Sequence, residues 1–141
     1  MFYQGNDYYI YGDKQPSLDG TGGNTDNVFT INCESTAKVG DWIYIYSNNN
    51  ARLAIADEST PEKTEVKGII TEKLSSTSCI VKNIGKIDKT GLINGSYWLS
   101  QTIPGTMIST RPVSGVIKEV GFAVSAIVFY VNVSTIITIK N

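Results

Sequence analysis

Turn-forming residues occur about every ten positions along this chain, and strand-forming residues fill the segments between them. Short strands at this spacing are typical of all-β sandwiches and barrels. The sequence therefore predicts an all-β fold, a small β-barrel or β-sandwich. The strand-like segments are GDWIYIYS, ARLAIAD, TEVKGIITEK, SCIVKNI, GVIKEVGFAVS and AIVFYVNVSTIITIK, the last read as two strands meeting at Asn132, and the loops between segments are SNNN, DESTPEK, GKIDKTG and STRP.

Helix is predicted at one place only, and for a single turn. Thr60 can cap such a turn and Pro61 can occupy its first position, where a missing N–H costs nothing. The β-branched Val66 and Ile69, separated by Gly68, do not favour continuation.

The segment GDWIYIYS predicts a strand with two apolar faces. Trp42, Tyr44 and Tyr46 alternate with Ile43 and Ile45, so each face carries large apolar side chains. A monomeric sandwich of this size needs only one buried face on such a strand. We therefore expect both faces to be covered, which also fits an oligomer.

The first part of the chain differs in composition from the rest. Residues 1–27 combine an aromatic cluster with the polar, Gly-rich stretch GDKQPSLDGTGGNTDN, which offers little to a core. We interpret residues 1–27 as an N-terminal arm and linker, and residues 28–141 as the β-module. The aromatic residues of the arm, which we predict to be attachment residues, are Phe2, Tyr3, Tyr8, Tyr9 and Tyr11.

Two roles for this arm follow from its composition. Tyrosine and phenylalanine bury large areas at small rotamer cost, which suits an extended segment that docks on another protein. The stretch DYYIY can also add as a strand to an exposed sheet edge, including an edge of the arm's own assembly.

Residues for the common catalytic mechanisms are missing from the sequence. There is no histidine, which removes the usual general base and the usual metal ligand. No phosphate-binding loop or G-x-S-x-G motif occurs, and Asp19–Asn27 lacks the EF-hand spacing. Carboxylate pairs such as Asp57 with Glu58, or Glu62 with Glu65, lie in a polar loop and are read as solvated surface. We expect no enzyme activity, no metal and no cofactor.

Charge and cysteine usage limit the environment and the partners. A net charge of −1 without runs of like charge does not favour nucleic acid or an anionic membrane surface. The start of the chain lacks the pattern of a signal peptide, and we expect no membrane insertion. Cys33 and Cys79 lie in strand-like surroundings without CxxC spacing, which favours two free, buried thiols over a disulfide.

The stretch from Val39 to Val133 resembles a β-module of tailed-bacteriophage virion surface proteins, a group that includes capsid decoration proteins, head fibres and tail-fibre tips. The resemblance rests on the order and spacing of VGDWIYI, LAIAD, VKGIITEK, GLINGSYWLS, the Pro104-Gly105 pair, STRPVSG and VIKEVGFAVSAIVFYVNV. It implies turns at Gly91, Gly95 and Gly105, bends at Gly115 and Gly121, and core positions at Tyr97 and Leu99.

This resemblance also implies a function. Such modules are small β-barrels or sandwiches, usually homotrimers, that decorate a virion without catalysing a reaction. The chain has neither the heptads nor the repeats of a tail-fibre shaft, which favours a capsid decoration or head-fibre protein. The expected partners are two further copies of the chain and a capsid or other virion protein, and the expected location is the virion surface, after assembly in the host cytoplasm.

A tail-fibre receptor-binding tip or a carbohydrate-binding module is the alternative. Exposed aromatic side chains and the Asn-rich loop SNNNAR can contact a host-surface glycan. A solvent-exposed Trp42 or Trp98 on a polar face would favour this alternative, and burial of both would favour the structural role. On alternating strands, aromatic residues are more often core or interface residues. We assign that role to Trp42, Tyr44, Tyr46, Tyr97 and Trp98.

Overall fold

The computed structural model describes residues 27–135 and 137–140, and this part of the chain is all-β. It contains twelve strands and one short 3-10 helix, Pro61–Thr64. No helix within these described residues is long and apolar enough to cross a bilayer. The strands are β1 Val28–Asn32, β2 Trp42–Ser47, β3 Asn50–Leu53, β4 Gly68–Ser75, β5 Ser78–Lys82, β6 Ile84–Asp88, β7 Gly95–Leu99, β8 Met107–Ile108, β9 Gly115–Ile117, β10 Glu119–Ser125, β11 Val128–Asn132 and β12 Thr138–Lys140.

The first five strands close into a barrel in the order β1-β3-β2-β4-β5. Strand β1 closes it, because it pairs antiparallel with β5 from Val28 opposite Lys82 to Asn32 opposite Ser78. On its other side β1 meets β3 in parallel at one pair, Asn32 with Asn50. The predicted β-barrel is therefore present, formed by the first half of the described chain.

A second, five-stranded sheet packs against this barrel, with strand order β6-β11-β10-β7-β8. The antiparallel pairs β10–β11 and β10–β7 form its centre, while β6 and β8 are its edges. Strands β9 and β12 pair separately as a two-stranded ribbon. The fold thus combines the barrel and the layered sheet that the sequence offered as alternatives.

Strand β2 explains how the two layers form two hydrophobic cores. Its side chains alternate, so Trp42 and Tyr44 point outward to the second sheet, while Ile43 points into the barrel. Strand β4 repeats this arrangement, with Ile69 in the core between the layers and Ile70 in the barrel. We call these two regions the inter-sheet core and the barrel core.

Both faces of β2 are covered, as predicted, but only along its first half and within a single chain. Trp42, Ile43 and Tyr44 are buried, whereas Ile45 and Tyr46 are exposed. The two-sided burial is produced by the barrel on one side and the second sheet on the other. The two covered faces therefore do not require an oligomer, although the sequence pattern fits one as well.

One local prediction was wrong, and another was right in part. GKIDK was read as a loop, but Gly85–Asp88 lies in β6 and pairs with β11. The single helical turn begins at Pro61 as predicted, yet Thr60 makes no side-chain cap. Its hydroxyl donates to the Asp57 carboxylate instead, at 2.8 Å.

Candidate interaction surfaces

Three of the five predicted core or interface residues are buried in the inter-sheet core: Trp42, Tyr44 and Tyr97. Phe129 lies between two of them, with edge contacts to Trp42 at 6.1 Å and to Tyr97 at 5.6 Å between ring centroids. The hydroxyl of Tyr97 accepts a hydrogen bond from the N–H of Ile93 at 2.9 Å. These aromatic side chains therefore hold the two layers together.

The remaining predicted residues lie elsewhere. Trp98 is half-buried, and Tyr46 is 55% exposed. The predicted attachment residues, Phe2, Tyr3, Tyr8, Tyr9 and Tyr11, lie outside the described residues.

The exposed Tyr46 lies beside a groove of about 260 Å³, which we call the Tyr46 groove. The Arg52 guanidinium stacks over the Tyr46 ring, 3.8 Å from its centroid. Asn32, Glu34 and Asn50 also line the groove. The tight β2–β3 turn contributes Asn50, because Asn49 adopts a left-handed conformation (φ 58°) and Asn50 donates to the Asn48 carbonyl at 2.9 Å. Asn32 of β1 joins the groove through its pairing with Asn50.

The side of the second sheet that faces away from the barrel, which we call the outer face, carries a second set of aromatic residues. Phe122 on β10 and Tyr130 on β11 stand opposite each other and stack, with centroids 5.5 Å apart and an interplanar angle of 18°. Lys86 and Ser96 continue this row onto β6 and β7. Sequence reasoning missed this surface. The signal was the alternation in VFYVN, where Tyr130 stands between the buried Phe129 and Val131.

Further apolar side chains extend the outer face. Val124 and Ile84 are 50% and 47% exposed, and Tyr130 is 37% exposed. Trp98 alternates with the buried Tyr97 and Leu99 and pairs with Ile108 on β8. The result is a surface of exposed and partly exposed apolar side chains that also carries the exposed Lys86 and Asp88 of β6.

A cavity of about 370 Å³ opens where the described chain begins, beside Val28. We call it the Val28 cavity. Its apolar lining includes Val39 and Ile87, with the fully buried Ile69 and Ile70, and its charged lining residues are Lys82, Asp88 and Lys89.

Among the carboxylates suggested by the sequence, Asp57 is engaged in a turn. It accepts from the Ser59 N–H at 3.1 Å, the Ser59 hydroxyl at 2.9 Å and the Thr60 hydroxyl at 2.8 Å. The Thr60 and Ser59 hydrogen bonds hold the pKa of this carboxyl below its usual range. Within the described residues, no three His, Cys, Asp or Glu side chains are grouped so that they could hold a metal ion.

Two kinds of nucleophilic side chain, the Lys118 amine and the cysteine thiols, are buried and contribute to the structure. The Lys118 ammonium donates to the Ser134 carbonyl, and burial lowers its pKa against the opposing effect of Glu65. It thereby ties the segment before β12 to the end of β9. Cys33 and Cys79 are free and buried in the barrel core, as predicted. Burial, with the neighbouring Cys33 thiol, raises the pKa of Cys79 to about 12.

Comparison of the chain with protein-family models, with curated proteins and with solved structures gave no match. Function is therefore inferred from these surfaces and from the resemblance in sequence.

Proposed function

We propose that this chain is a non-enzymatic structural protein of a tailed-bacteriophage virion, a capsid decoration or head-fibre protein displayed on the particle surface. In this proposal it assembles as a homotrimer in the host cytoplasm and is attached to a capsid or other virion protein through residues 1–27. The sequence resemblance over Val39–Val133 supports the proposal, and the all-β fold with its closed barrel agrees with the fold that this resemblance implies.

The observation that carries the proposal is the apolar outer face. Exposed, contiguous apolar patches are uncommon on proteins that act as monomers and mark surfaces that bind other proteins. The stacked Phe122 and Tyr130 lie at its centre, and Trp98 extends it. Aromatic residues are enriched in interface cores, and the charged Lys86 and Asp88 lie on the edge strand β6, as charged residues do at an interface rim. This surface is suited to association between copies of the chain.

The state of the polar groups supports a non-enzymatic role. The chain has no histidine. The Asp57 carboxylate is occupied by its turn, and Lys118 is bonded to a backbone carbonyl. Each of these groups has a structural partner, as expected of a module that binds rather than catalyses.

Light scattering on the purified protein tests self-association. We expect a mass of about three times the 15.4 kDa chain. Tyr130→Lys places a second positive charge directly opposite Lys86 on the outer face and should yield monomers. Val113→Lys is the control, since Val113 is 87% exposed and lies outside the outer face. A wild-type monomer at high micromolar concentration would contradict the homotrimer.

Sedimentation with phage particles tests attachment. Full-length protein should co-sediment with particles that lack their own copy. A full-length variant with Phe2, Tyr3, Tyr8, Tyr9 and Tyr11 changed to Ser should remain folded by circular dichroism but stay in the supernatant. Equal co-sedimentation of both proteins would mean that the aromatic cluster is not the attachment site.

Glycan binding is a second candidate function, favoured by the Tyr46 groove. An exposed aromatic ring beside Asn, Glu and Arg side chains offers stacking together with hydrogen bonds to hydroxyl groups. Burial of Trp42 argues for the structural role, while the half-buried Trp98 on the apolar outer face does not provide a polar platform. A glycan array should show binding that Tyr46→Ala abolishes and Tyr130→Ala retains. If neither the wild type nor the variants bind a glycan, the Tyr46 groove does not have this role.

A further inference from the structure

The Val28 cavity is a largely apolar recess whose lining includes Val28 of the first strand. Val28 and Val39 remain 45% and 57% exposed at its wall, although the fully buried Ile69 and Ile70 lie beside them. Its volume of about 370 Å³ is of the size that takes a small ligand or a ring side chain, roughly 300–1,000 Å³. Filling it with a ring would remove these valines from water, which is favourable.

The start of the described chain is held at this cavity. The carbonyl of Asn27 accepts a hydrogen bond from the N–H of Asn83 at 2.9 Å, and Val28 pairs with Lys82. Because Val28 itself lines the cavity, the described chain begins beside it.

The charges of the two parts of the chain are complementary. Four of the thirteen acidic residues but only one of the twelve basic residues fall in residues 1–26, which gives this segment a charge of −3. The remaining residues carry eleven basic and nine acidic side chains, a charge of +2. Lys82, Lys89 and Asp88 are the charged residues of the cavity lining, which therefore has a net charge of +1, and the Lys89 ammonium lies close to Gly40 in its wall. Asp7 and Asp13 flank the three tyrosines of the stretch DYYIY.

The covalent connection keeps these tyrosines near the cavity. Fifteen residues, 12–26, separate Tyr11 from Asn27. A linker of this length extends to at most about 50 Å and holds its end at an effective concentration of order millimolar. Docking with even a millimolar dissociation constant therefore fills the cavity about half of the time.

We propose that the Val28 cavity is a docking site for the chain's own N-terminal stretch DYYIY, Asp7–Tyr11. A tyrosine ring enters the cavity between Val28, Val39 and Ile87, and the flanking aspartates lie toward Lys82 and Lys89. This docking goes beyond the virion role and does not depend on it. If the arm also attaches the protein to a particle, the attachment partner must compete with the cavity for these tyrosines.

Methyl NMR on the full-length chain tests the docking. A ring in the cavity shifts the methyl signals of Ile70 and Ile87, which lie far from the arm in sequence. Changing Tyr8, Tyr9 and Tyr11 to Ser should move both signals, because the ring is lost, without altering the module. Identical Ile70 and Ile87 signals in the two proteins would overturn the proposal.

A double-variant design separates docking from indirect effects. Val39→Asp makes the cavity wall polar and negative, so the tyrosine-to-serine change should no longer move the Ile70 and Ile87 signals in this background. Val113→Asp is the matched control, in which the change should move them as in wild type. If the tyrosine-to-serine change moves the Ile70 and Ile87 signals by the same amount in the Val39→Asp background, the ring lies elsewhere and the proposal is overturned. The proposal is also overturned if this shift of the signals disappears on dilution, because the ring would then come from a second copy.

Discussion

The barrel core and the inter-sheet core are built from different side chains, although β2 and β4 contribute to both. The buried residues of the barrel core are small or aliphatic, and none is aromatic: Ile31, Cys33, Ala37, Ile43, Ala51, Ile70, Cys79 and Val81. The buried inter-sheet core contains four aromatic residues, Trp42, Tyr44, Tyr97 and Phe129.

Geometry accounts for this difference. A barrel of few strands has a narrow interior that branched and small side chains fill. Two facing sheets lie about 10 Å apart, which leaves room for rings that interlock edge to face. One strand can serve both spaces because successive side chains point to opposite sides. The side chains of a core are therefore selected by the space that they fill as well as by their hydrophobicity.

The largest expected effect is loss of the ring at the centre of the inter-sheet core. Phe129→Ala should lower the free energy of unfolding by about 3–5 kcal/mol, since Phe129 is fully buried and contacts Trp42 and Tyr97. Urea unfolding followed by tryptophan fluorescence measures it. Tyr130→Ala, the next residue on β11 but on the outer face, is the control. Equal losses from both variants would contradict the central role of Phe129.

One glycine in each layer tests how closely the strands approach. A Cβ at Gly68 would meet the Lys82 carbonyl oxygen across the β4–β5 pair, and one at Gly121 would meet the Tyr130 carbonyl oxygen and the Phe129 ring. Gly68→Ala and Gly121→Ala should each cost about 1–3 kcal/mol, the usual cost of overpacking.

We expect Gly121→Ala to cost more than Gly68→Ala, because its second neighbour is the large, rigid Phe129 ring, whereas that of Gly68 is the smaller Val81 side chain. Phe129→Leu removes ring atoms from this contact, so the Gly121→Ala/Phe129→Leu double variant should lose less stability than the sum of the single variants. Simple additivity would mean that the ring does not oppose the new methyl group.

The free energy of unfolding should fall at high pH because of Cys79 in the barrel core. The folded pKa of Cys79, about 12, lies above its unfolded value of 9.0, so the unfolded chain loses this proton first. The contribution of Cys79 to the free energy of unfolding is complete below pH 9 and is lost as the pH rises toward 12. Between pH 8 and pH 10 the loss is about 1 kcal/mol.

Urea unfolding of wild type and Cys79→Ala at pH 8 and pH 10, with a reductant present, measures this loss. Burial also raises the pKa of Tyr44, but Tyr44 is present in both proteins and cancels in the comparison. The pH-dependent loss should be smaller in Cys79→Ala. The same loss in both would show that Cys79 does not cause it.

The smallest effect is expected where β2 leaves both cores. Tyr46→Ala should change the free energy of unfolding by no more than about 0.5 kcal/mol, because the side chain is largely exposed. Tyr44→Ala, two residues earlier and buried, is the matched comparison and should destabilise strongly. A large loss from Tyr46→Ala would mean that the stack with Arg52 supports the barrel.

Local alternation was sufficient to predict the all-β class, most of the strands and the two covered faces at Trp42–Tyr44. It could not predict that Tyr46 is exposed, because Tyr44 and Tyr46 share a face and only the extent of the second sheet separates them. Nor could it predict barrel closure, which depends on pairing between β1 and β5, far apart in sequence.

The errors have similar causes. Gly85 and Asp88 are turn formers by type, but β6 takes its register from β11, about forty residues later. The resemblance implied a turn at Gly95, yet Gly95 begins β7, which pairs with β8 and β10 and not with the preceding strand. The outer face was missed because Phe122 and Tyr130 meet only across strands.

The position of β1 has a mechanical consequence if residues 1–27 hold the module, as we propose. A pull on the residues before Asn27 reaches β1 first, and β1 is joined to β5 by five antiparallel pairs. Force along the strand is shared by all five pairs in shear, since their hydrogen bonds run across the strand direction. Force across the strand would instead peel them apart singly, beginning at Val28 and Lys82. The angle of pull therefore decides whether the barrel resists a load or opens.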